Sequence, residues 1–330
     1  MRKIRLGLIG SGGMAARNAQ IFSNSSGFSL SAIAARNPET GLALAHKYTV
    51  DYVPQWQTLL AHRDIDGIII ASNNDSHGQM ILAAMDAGKH VFCEYPIARD
   101  LGELRRIEGK LAESPTVIRV SHHEPLSVSH QTLKLQAQQM GGLLSAFFTR
   151  LTPGRGARPE TLLNLPTSGP PSLFFVYHVY PIIDIFGPPI WVKAGARYSD
   201  LKETGQYHRF VNSVIAGFRD GALAQWNWAG GIEIESAEEY RRIVMTDGTL
   251  LQSGESWQIS TSNGTQPLAH SQRVEKTLAD QFRDDIGGQT TWQRDTQVAI
   301  DAARVGLAAE QSVNDQSCIE INSSTGTDPE

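Results

Sequence analysis

Along the first third of the chain, short apolar runs alternate with longer stretches in which apolar residues return every three or four positions. Residues 4–9 read as a strand, 10–22 as a glycine turn entering a helix, and 28–35 as a second strand. Helices are predicted over 38–47 and 55–61. Asp66-Gly67-Ile68-Ile69-Ile70-Ala71 has the unbroken apolar run of a parallel strand buried on both faces. A helix follows through residue 87, then a short strand over 90–93, a helix over 101–113 and a strand over 116–121. This alternation predicts a doubly wound parallel sheet. Beyond His122 the pattern changes. A polar helix over 127–140 and a strand over 144–150 precede a long irregular loop, 153–172, rich in Pro and Gly and carrying Arg155 and Arg158. Residues 174–186 form the most aromatic stretch. Pro181 suits only the first turn of a helix, which places that helix's start near Tyr180. Short alternating runs at 190–197, 207–218, 222–229, 240–245 and 249–252, punctuated by Gly221, Gly230-Gly231 and Asp247-Gly248, predict a mostly antiparallel sheet. Helical spacing returns over 275–286 and 295–314, and the polar tail 323–330 reads as disordered. The expected fold class is α/β: an N-terminal doubly wound parallel sheet, then an α+β domain with a large, open, mostly antiparallel sheet. The expected domains are 1–123 and 124–330.

Composition narrows the function classes. A chain of 330 residues is long for a single core, in keeping with two domains. Hydrophobic residues make up 41% and the net charge is −5, as in an ordinary globular protein. No basic tract points to nucleic acid. No apolar run reaches the roughly 18 residues of a membrane span. The chain enters its first strand at Ile4, which leaves no room for a signal peptide, so a cytoplasmic location is expected. Cys93 and Cys318 supply neither a disulfide framework nor a metal-knuckle spacing, and both read as small buried residues.

The candidate chemistry begins at Gly10-Ser11-Gly12-Gly13-Met14-Ala15, a G-x-G-x-x-A pattern at a strand–helix junction. Gly10 permits the tight turn, Gly12 lets the backbone approach a pyrophosphate, and Ala15 lets helix and strand pack closely. The helix N-terminus adds N–H groups and partial positive charge. The second strand ends in Ala35-Arg36-Asn37, without the carboxylate that binds a ribose 2′-hydroxyl. Arg36 stands where a guanidinium pairs with a 2′-phosphate, so NADP(H) is the expected cofactor, with NAD(H) as the second choice. Ser72-Asn73-Asn74-Asp75-Ser76-His77 opens a helix that Ser76 could cap. Glu94-Tyr95-Pro96 ends strand 90–93 abruptly. It holds two titratable side chains at the sheet edge where open α/β sheets bind ligands.

Gly10–Ala15, 71–77, Ala87-Gly88-Lys89-His90-Val91 and Glu94-Tyr95-Pro96 together resemble the Gfo/Idh/MocA oxidoreductases, most strongly over residues 1–125. The resemblance implies a Rossmann domain followed by an open-sheet α/β domain. In the family's TPNxxH stretch, Ser72 and Asn73 replace Thr-Pro while Asn74 and His77 match. That stretch lines the nicotinamide side of the cofactor. The family motif is Glu-Lys-Pro, whose lysine carries a proton or anchors the substrate, and here Tyr95 takes its place. A tyrosine titrates near about 10 and suits donating a proton to an acceptor being reduced. Lys89 matches the family's structural Gly-Lys-His. Glu-Tyr-Pro is similar to the biliverdin reductase-like branch, as are His122, Glu124 and Leu126 to its EHxELL stretch and Asp184-Ile185-Phe186-Gly187 to its DLFG. The branch's arginines shortly before DLFG have no counterpart in Tyr177-His178-Val179-Tyr180-Pro181.

His178 falls near the family's substrate-side histidine, just ahead of the predicted helix start, as a hydrogen-bond donor or proton shuttle. Tyr95, His122, Glu124 and Tyr177 complete the expected substrate side, and Arg155 or Arg158 could supply the missing arginine. His122, Glu124 and His178 have no metal-site spacing, although the first two would share a strand face; no metal is expected. These readings converge on a cytoplasmic NADP(H)-dependent oxidoreductase acting on a small molecule, a reductase because the lysine is absent. Tyr95 is the acid, Glu94 orients it or the nicotinamide, and His178 assists. Biliverdin reductase, a sugar or cyclitol dehydrogenase with an altered site, and a non-catalytic NADP sensor are the alternatives. Family habit implies a homodimer or homotetramer through the C-terminal sheet, with no nucleic-acid or membrane partner.

Overall fold

A computed structural model describes residues 2–153, 162–254, 256–268 and 276–321. Arg155, Arg158 and the tail 323–330 lie outside the described residues. The chain divides into two compact units, Met1–His123 with Glu275–Ile300, and Glu124–Val274 with Asp301–Glu330.

In the first unit the described strands are β1 (Ile4–Ile9), β2 (Phe28–Ala34), β3 (Asp51–Val53), β4 (Gly67–Ile70), β5 (His90–Cys93) and β6 (Ile118–Val120). They form one parallel sheet in the order β3-β2-β1-β4-β5-β6. Every residue of β4 is buried, which explains its unbroken apolar run. Connections leave β1 in opposite directions, so the carboxyl ends of β1 and β4 flank the switch point where such sheets bind ligands. Asn37 and Asp100 cap the helices Pro38–Tyr48 and Leu101–Leu111 through their side chains.

The segment 276–300 departs from the expected boundary, which gave it to the second domain. Its helix, Leu278–Ile286, begins with a Thr277/Asp280 capping box. Phe282 lies within 6.1, 6.0 and 5.8 Å of the Phe22, Phe28 and Phe92 rings. Arg119 on β6 pairs with Asp285 and Asp295. These contacts join residues more than 150 positions apart, so local pattern carries no trace of them. The long helix Trp292–Asp315 then contributes to both units.

The second unit's described strands are β7 (Leu143–Pro153), β8 (Trp191–Ser199), β9 (Arg209–Gly217), β10 (Leu223–Ile232), β11 (Glu238–Met245), β12 (Gly248–Ser253), β13 (Ser256–Thr261), β14 (Gly264–Pro267) and β15 (Ile319–Glu320). Their order is β14-β13-β12-β11-β7-β10-β9-β8-β15, antiparallel except where β7 meets β10. One face carries Phe148, Val214, Trp226, Trp228 and Ile243, all buried, and the other exposes Phe147, Val211, Ile215, Leu223 and Tyr240. The β13–β14 hairpin escaped the sequence reading because β14 is exposed throughout and has no apolar face.

Two expectations about 153–186 are corrected. Short helices, Leu165–Ser168 and Pro171–Phe174, occupy part of the predicted loop. The aromatic helix runs Val176–Phe186 with Pro181 inside it, so His178 lies in its first turn and not ahead of it. Val176, Val179, Tyr180, Ile182 and Ile183 are all buried, and this packing outweighs the backbone bond that proline cannot make. Among the described residues no helix is long and apolar enough to cross a membrane.

Candidate active site

At the end of β1, Gly10 has φ +123°. A Cβ there would lie 2.2 Å from the Ala71 carbonyl oxygen and 2.8 Å from its carbon, so only glycine lets this turn meet the end of β4. Ala15, fully buried, seats the helix Gly13–Asn24 against the sheet. Gly12 offers no side chain to cap that helix, and its first turn, which includes Met14, holds no acid. A Cβ on Gly13 would meet nothing within 4 Å. The helix start is thus backbone N–H facing open space, and it fits a pyrophosphate. Ser11 Oγ lies 2.6 Å from Thr40 Oγ1, in the first turn of the helix that Asn37 caps. Buried Ala35 accepts a hydrogen bond from Tyr52 through its carbonyl, and exposed Arg36 follows at the carboxyl end of β2.

After β4, Ser72 Oγ lies 2.9 Å from Ser76 Oγ, which donates to the Asn73 carbonyl at 2.8 Å. Asn74 begins the short 3-10 turn Asn74–Ser76. His77, expected to line the cofactor, is held by backbone carbonyls on both sides. It is fully buried, with Nδ1 2.9 Å from the Pro96 carbonyl and Nε2 3.2 Å from that of Ser72. Burial outweighs both carbonyls and lowers its pKa. Its role is to tie the turn after β4 to the turn after β5.

The β5 turn holds Glu94 and Tyr95. Glu94 is buried and accepts from Asn18 Nδ2 at 2.7 Å. Burial pushes its carboxyl up to about 7, against hydrogen bonds from Asn18 and Ser121 and the nearby Arg17 charge. The Tyr95-Pro96 peptide is cis. Half-buried Tyr95 stacks on the buried His122 ring, centroids 5.2 Å apart and planes 19° from parallel. Lys89 donates to the carbonyls of His62 and Ile65 at 2.8 and 2.7 Å, a structural role. The first unit therefore brings together Glu94, Tyr95 and His122.

The second unit brings together Tyr177, His178 and Glu124. His178 is buried, and its Nδ1 accepts from Trp228 Nε1 at 2.9 Å. Trp226 Nε1 donates to the His178 carbonyl at 3.1 Å, and the Phe148 ring lies 4.2 Å from the imidazole. Burial, then Arg241 and Arg150, hold the His178 pKa well below its ordinary value. The ring is therefore neutral, with its proton on Nε2. It can donate, but the expected proton-shuttle role is corrected: its lone pair is taken and two guanidiniums oppose a second proton. Burial pushes the Tyr177 phenol up to about 12, with Arg150 pulling it down and Glu239 and Glu124 pushing it up. Glu124 lies on the short helix Glu124–Leu126, so it shares no strand face with His122. Asp184 accepts from His130 Nε2 at 2.7 Å and Lys134 Nζ at 3.0 Å.

Sequence reading missed Arg150, Glu239 and Arg241. Arg150 Nη1 donates to Glu239 Oε2 at 2.8 Å, and Arg241 lies over Phe148 at 5.1 Å. A signal did exist: Arg241 is in phase with buried Ile243 and Met245 on β11, and Arg150 with Phe148 on β7. Cys318 is exposed, contrary to expectation, while Cys93 is buried. Among the described residues no group of three or more His, Cys, Asp or Glu could hold a metal.

A parallel sheet with a glycine turn at its switch point defines a dinucleotide-binding Rossmann unit. Residues 4–122 match the model of the Gfo/Idh/MocA oxidoreductase family over its NAD-binding Rossmann fold. The 4-carboxy-2-hydroxymuconate-6-semialdehyde dehydrogenase of Sphingobium sp. is 26% identical over 48% of this chain and 52% of its own. The scyllo-inositol 2-dehydrogenase (NADP(+)) of Bacillus subtilis is 27% identical over 58% of this chain and 61% of its own. The chain thus spans about half the length of the first curated relatives it matches. Biliverdin reductase of Synechocystis sp., solved with biliverdin and NADP+, shares the fold with a TM-score of 0.84 at 21% identity, covering 94% of this chain and 99% of that one.

Proposed function

We propose that this chain is an NADP(H)-dependent reductase of a small-molecule acceptor, with Tyr95 as the proton donor. The observation that carries the reading is Tyr95 at the carboxyl end of β5, its ring packed on His122, in the position of the family's lysine. A bound nicotinamide supplies the hydride. The chain's own residues do the rest. The first-turn N–H groups of Gly13–Asn24 hold the pyrophosphate, and Arg36 pairs with the 2′-phosphate. Ser72, Asn73 and Asn74 line the nicotinamide side. Glu94, anchored by Asn18 and Ser121, keeps the β5 turn in place. In the second unit, His178 Nε2–H and the Tyr177 hydroxyl donate hydrogen bonds to the substrate, with the Glu124 charge acting on Tyr177. The Bacillus subtilis relative is an NADP(+) dehydrogenase and the Synechocystis biliverdin reductase was solved with NADP+, which supports the cofactor preference.

The test is cofactor consumption, followed by the absorbance of the reduced nicotinamide, with biliverdin and a panel of keto-sugars and inososes. Wild type is expected to oxidise NADPH in preference to NADH. Losing a charge-assisted contact worth about 1.5–3 kcal/mol, Arg36→Ala should weaken NADPH roughly ten- to a hundred-fold and leave NADH nearly unchanged. Equal losses for both would remove the 2′-phosphate assignment. Firm NADPH binding without turnover on any acceptor would favour the non-catalytic sensor.

The outer sheet face, with Phe147 41%, Val211 51%, Ile215 39% and Leu223 44% exposed, supports pairing with a second copy of the chain. Light scattering at micromolar concentration should give a dimer or tetramer; a monomer would refute this assignment.

A further inference from the structure

The second unit gathers buried cationic and hydrogen-bond-donating side chains in one place. Arg241 is 8% exposed. Its guanidinium meets the face of Phe148 and, at 3.8 Å, the Glu239 carboxylate, and the Glu124 charge also acts on it. A guanidinium withdrawn from water is costly unless anions and hydrogen bonds compensate it fully, and 3.8 Å is too long for a hydrogen bond to Glu239. Two further donors lie in the same cluster. His178 Nε2 is buried, has no hydrogen-bond partner among the described residues and stops 3.9 Å from Glu239 Oε2. Arg150 Nε is buried and likewise without a partner, although Nη1 of the same group reaches Glu239. Strand register builds this cluster. Glu239, Arg150 and Trp228 stand in one cross-strand row, and Arg241, Phe148 and Trp226 in the next. Donors from two strands and a helix thus surround Glu239, but only Arg150 is close enough to bond it, and Glu124 is a second anion acting on Arg241. The field on the His178 ring is positive, since both arginines depress its basicity. Phe148 and Phe175 flank the same ring at 4.2 and 5.4 Å and supply apolar walls.

We propose that the Arg241, Arg150 and His178 cluster is a recognition site for a substrate carboxylate carried on an apolar body, with Glu239 as the anion that the ligand displaces from Arg241 and His178. The proposal rests on the reductase reading and names the chemical class of its acceptor. Ligand binding to the full chain without cofactor separates the two: a failure here leaves NADPH consumption to be judged independently.

Benzoate and its neutral counterpart benzamide are the probes, titrated by calorimetry and by the indole N–H resonance of Trp228, assigned with Trp228→Phe. Benzoate is expected to bind at least ten-fold more tightly than benzamide and to shift the Trp228 resonance through His178. Arg241→Met, of similar bulk, should lose at least ten-fold in benzoate affinity while the melting temperature holds or rises. Glu239→Gln should bind benzoate more tightly. Equal affinity for the two probes, binding of neither, or an Arg241→Met variant that melts earlier yet binds benzoate unchanged would overturn the proposal.

Discussion

Tyr95→Phe is expected to lower turnover by about a hundred-fold or more, the usual contribution of a positioned general acid, while NADPH affinity stays within about two-fold. The substitution is narrow. Phenylalanine keeps the ring that stacks on His122, so packing in the β5 turn is retained and only the hydroxyl is lost. An acid that transfers its proton at the barrier top is felt in kcat and kcat/KM together, with KM little changed. A rise in KM alone would make the hydroxyl a substrate anchor. An unchanged rate would remove Tyr95 from the chemistry. Glu94 is a poorer candidate for that proton because Asn18 and Ser121 already hold its carboxylate under the first helix.

The parts of this site that were legible in the sequence are those whose cause is local. At Gly10 the chain must turn from a strand into a helix within a few residues, and the Ala71 carbonyl forbids any side chain there. That demand leaves a glycine and a change of period on either side. Glu94-Tyr95-Pro96 is equally local, a strand halted by a proline. His178 was found, but its state was not. Its tautomer is set by Trp228, 50 residues away and on another element. Arg150 and Glu239 meet only because β7 and β11 pair in one register, and a one-residue slip of either strand would put the two on opposite faces. His77 shows what a motif leaves out. It matches a cofactor-lining motif, yet both ring nitrogens face backbone carbonyls. Residue type indicated chemistry there, while its burial and carbonyl partners come from the turns after β4 and β5, which no local pattern records.

The placement of 276–300 with the first unit carries the second large prediction. Arg119→Leu should destabilise that unit by about 3–5 kcal/mol, as expected when a buried ion pair loses one partner. The Arg119 side chain is 5% exposed and that of Asp285 is 0% exposed. The guanidinium binds Asp285 through Nε and Nη2 and Asp295 through Nη1 at 3.0 Å. Removing it leaves a carboxylate in the interior without its counter-charge. Since domains are stable by only about 5–15 kcal/mol, the loss should be plain in urea unfolding. Asp285→Leu in the Arg119→Leu background removes the stranded charge, and most of the stability should return. Recovery would identify the loss as electrostatic. A double variant as weak as the single one would instead point to packing, because Phe282, one helical turn before Asp285, sits among Phe22, Phe28 and Phe92 and would have moved with the helix. A single-variant loss below about 1 kcal/mol, the level of an exposed pair, would contradict the burial of this bridge.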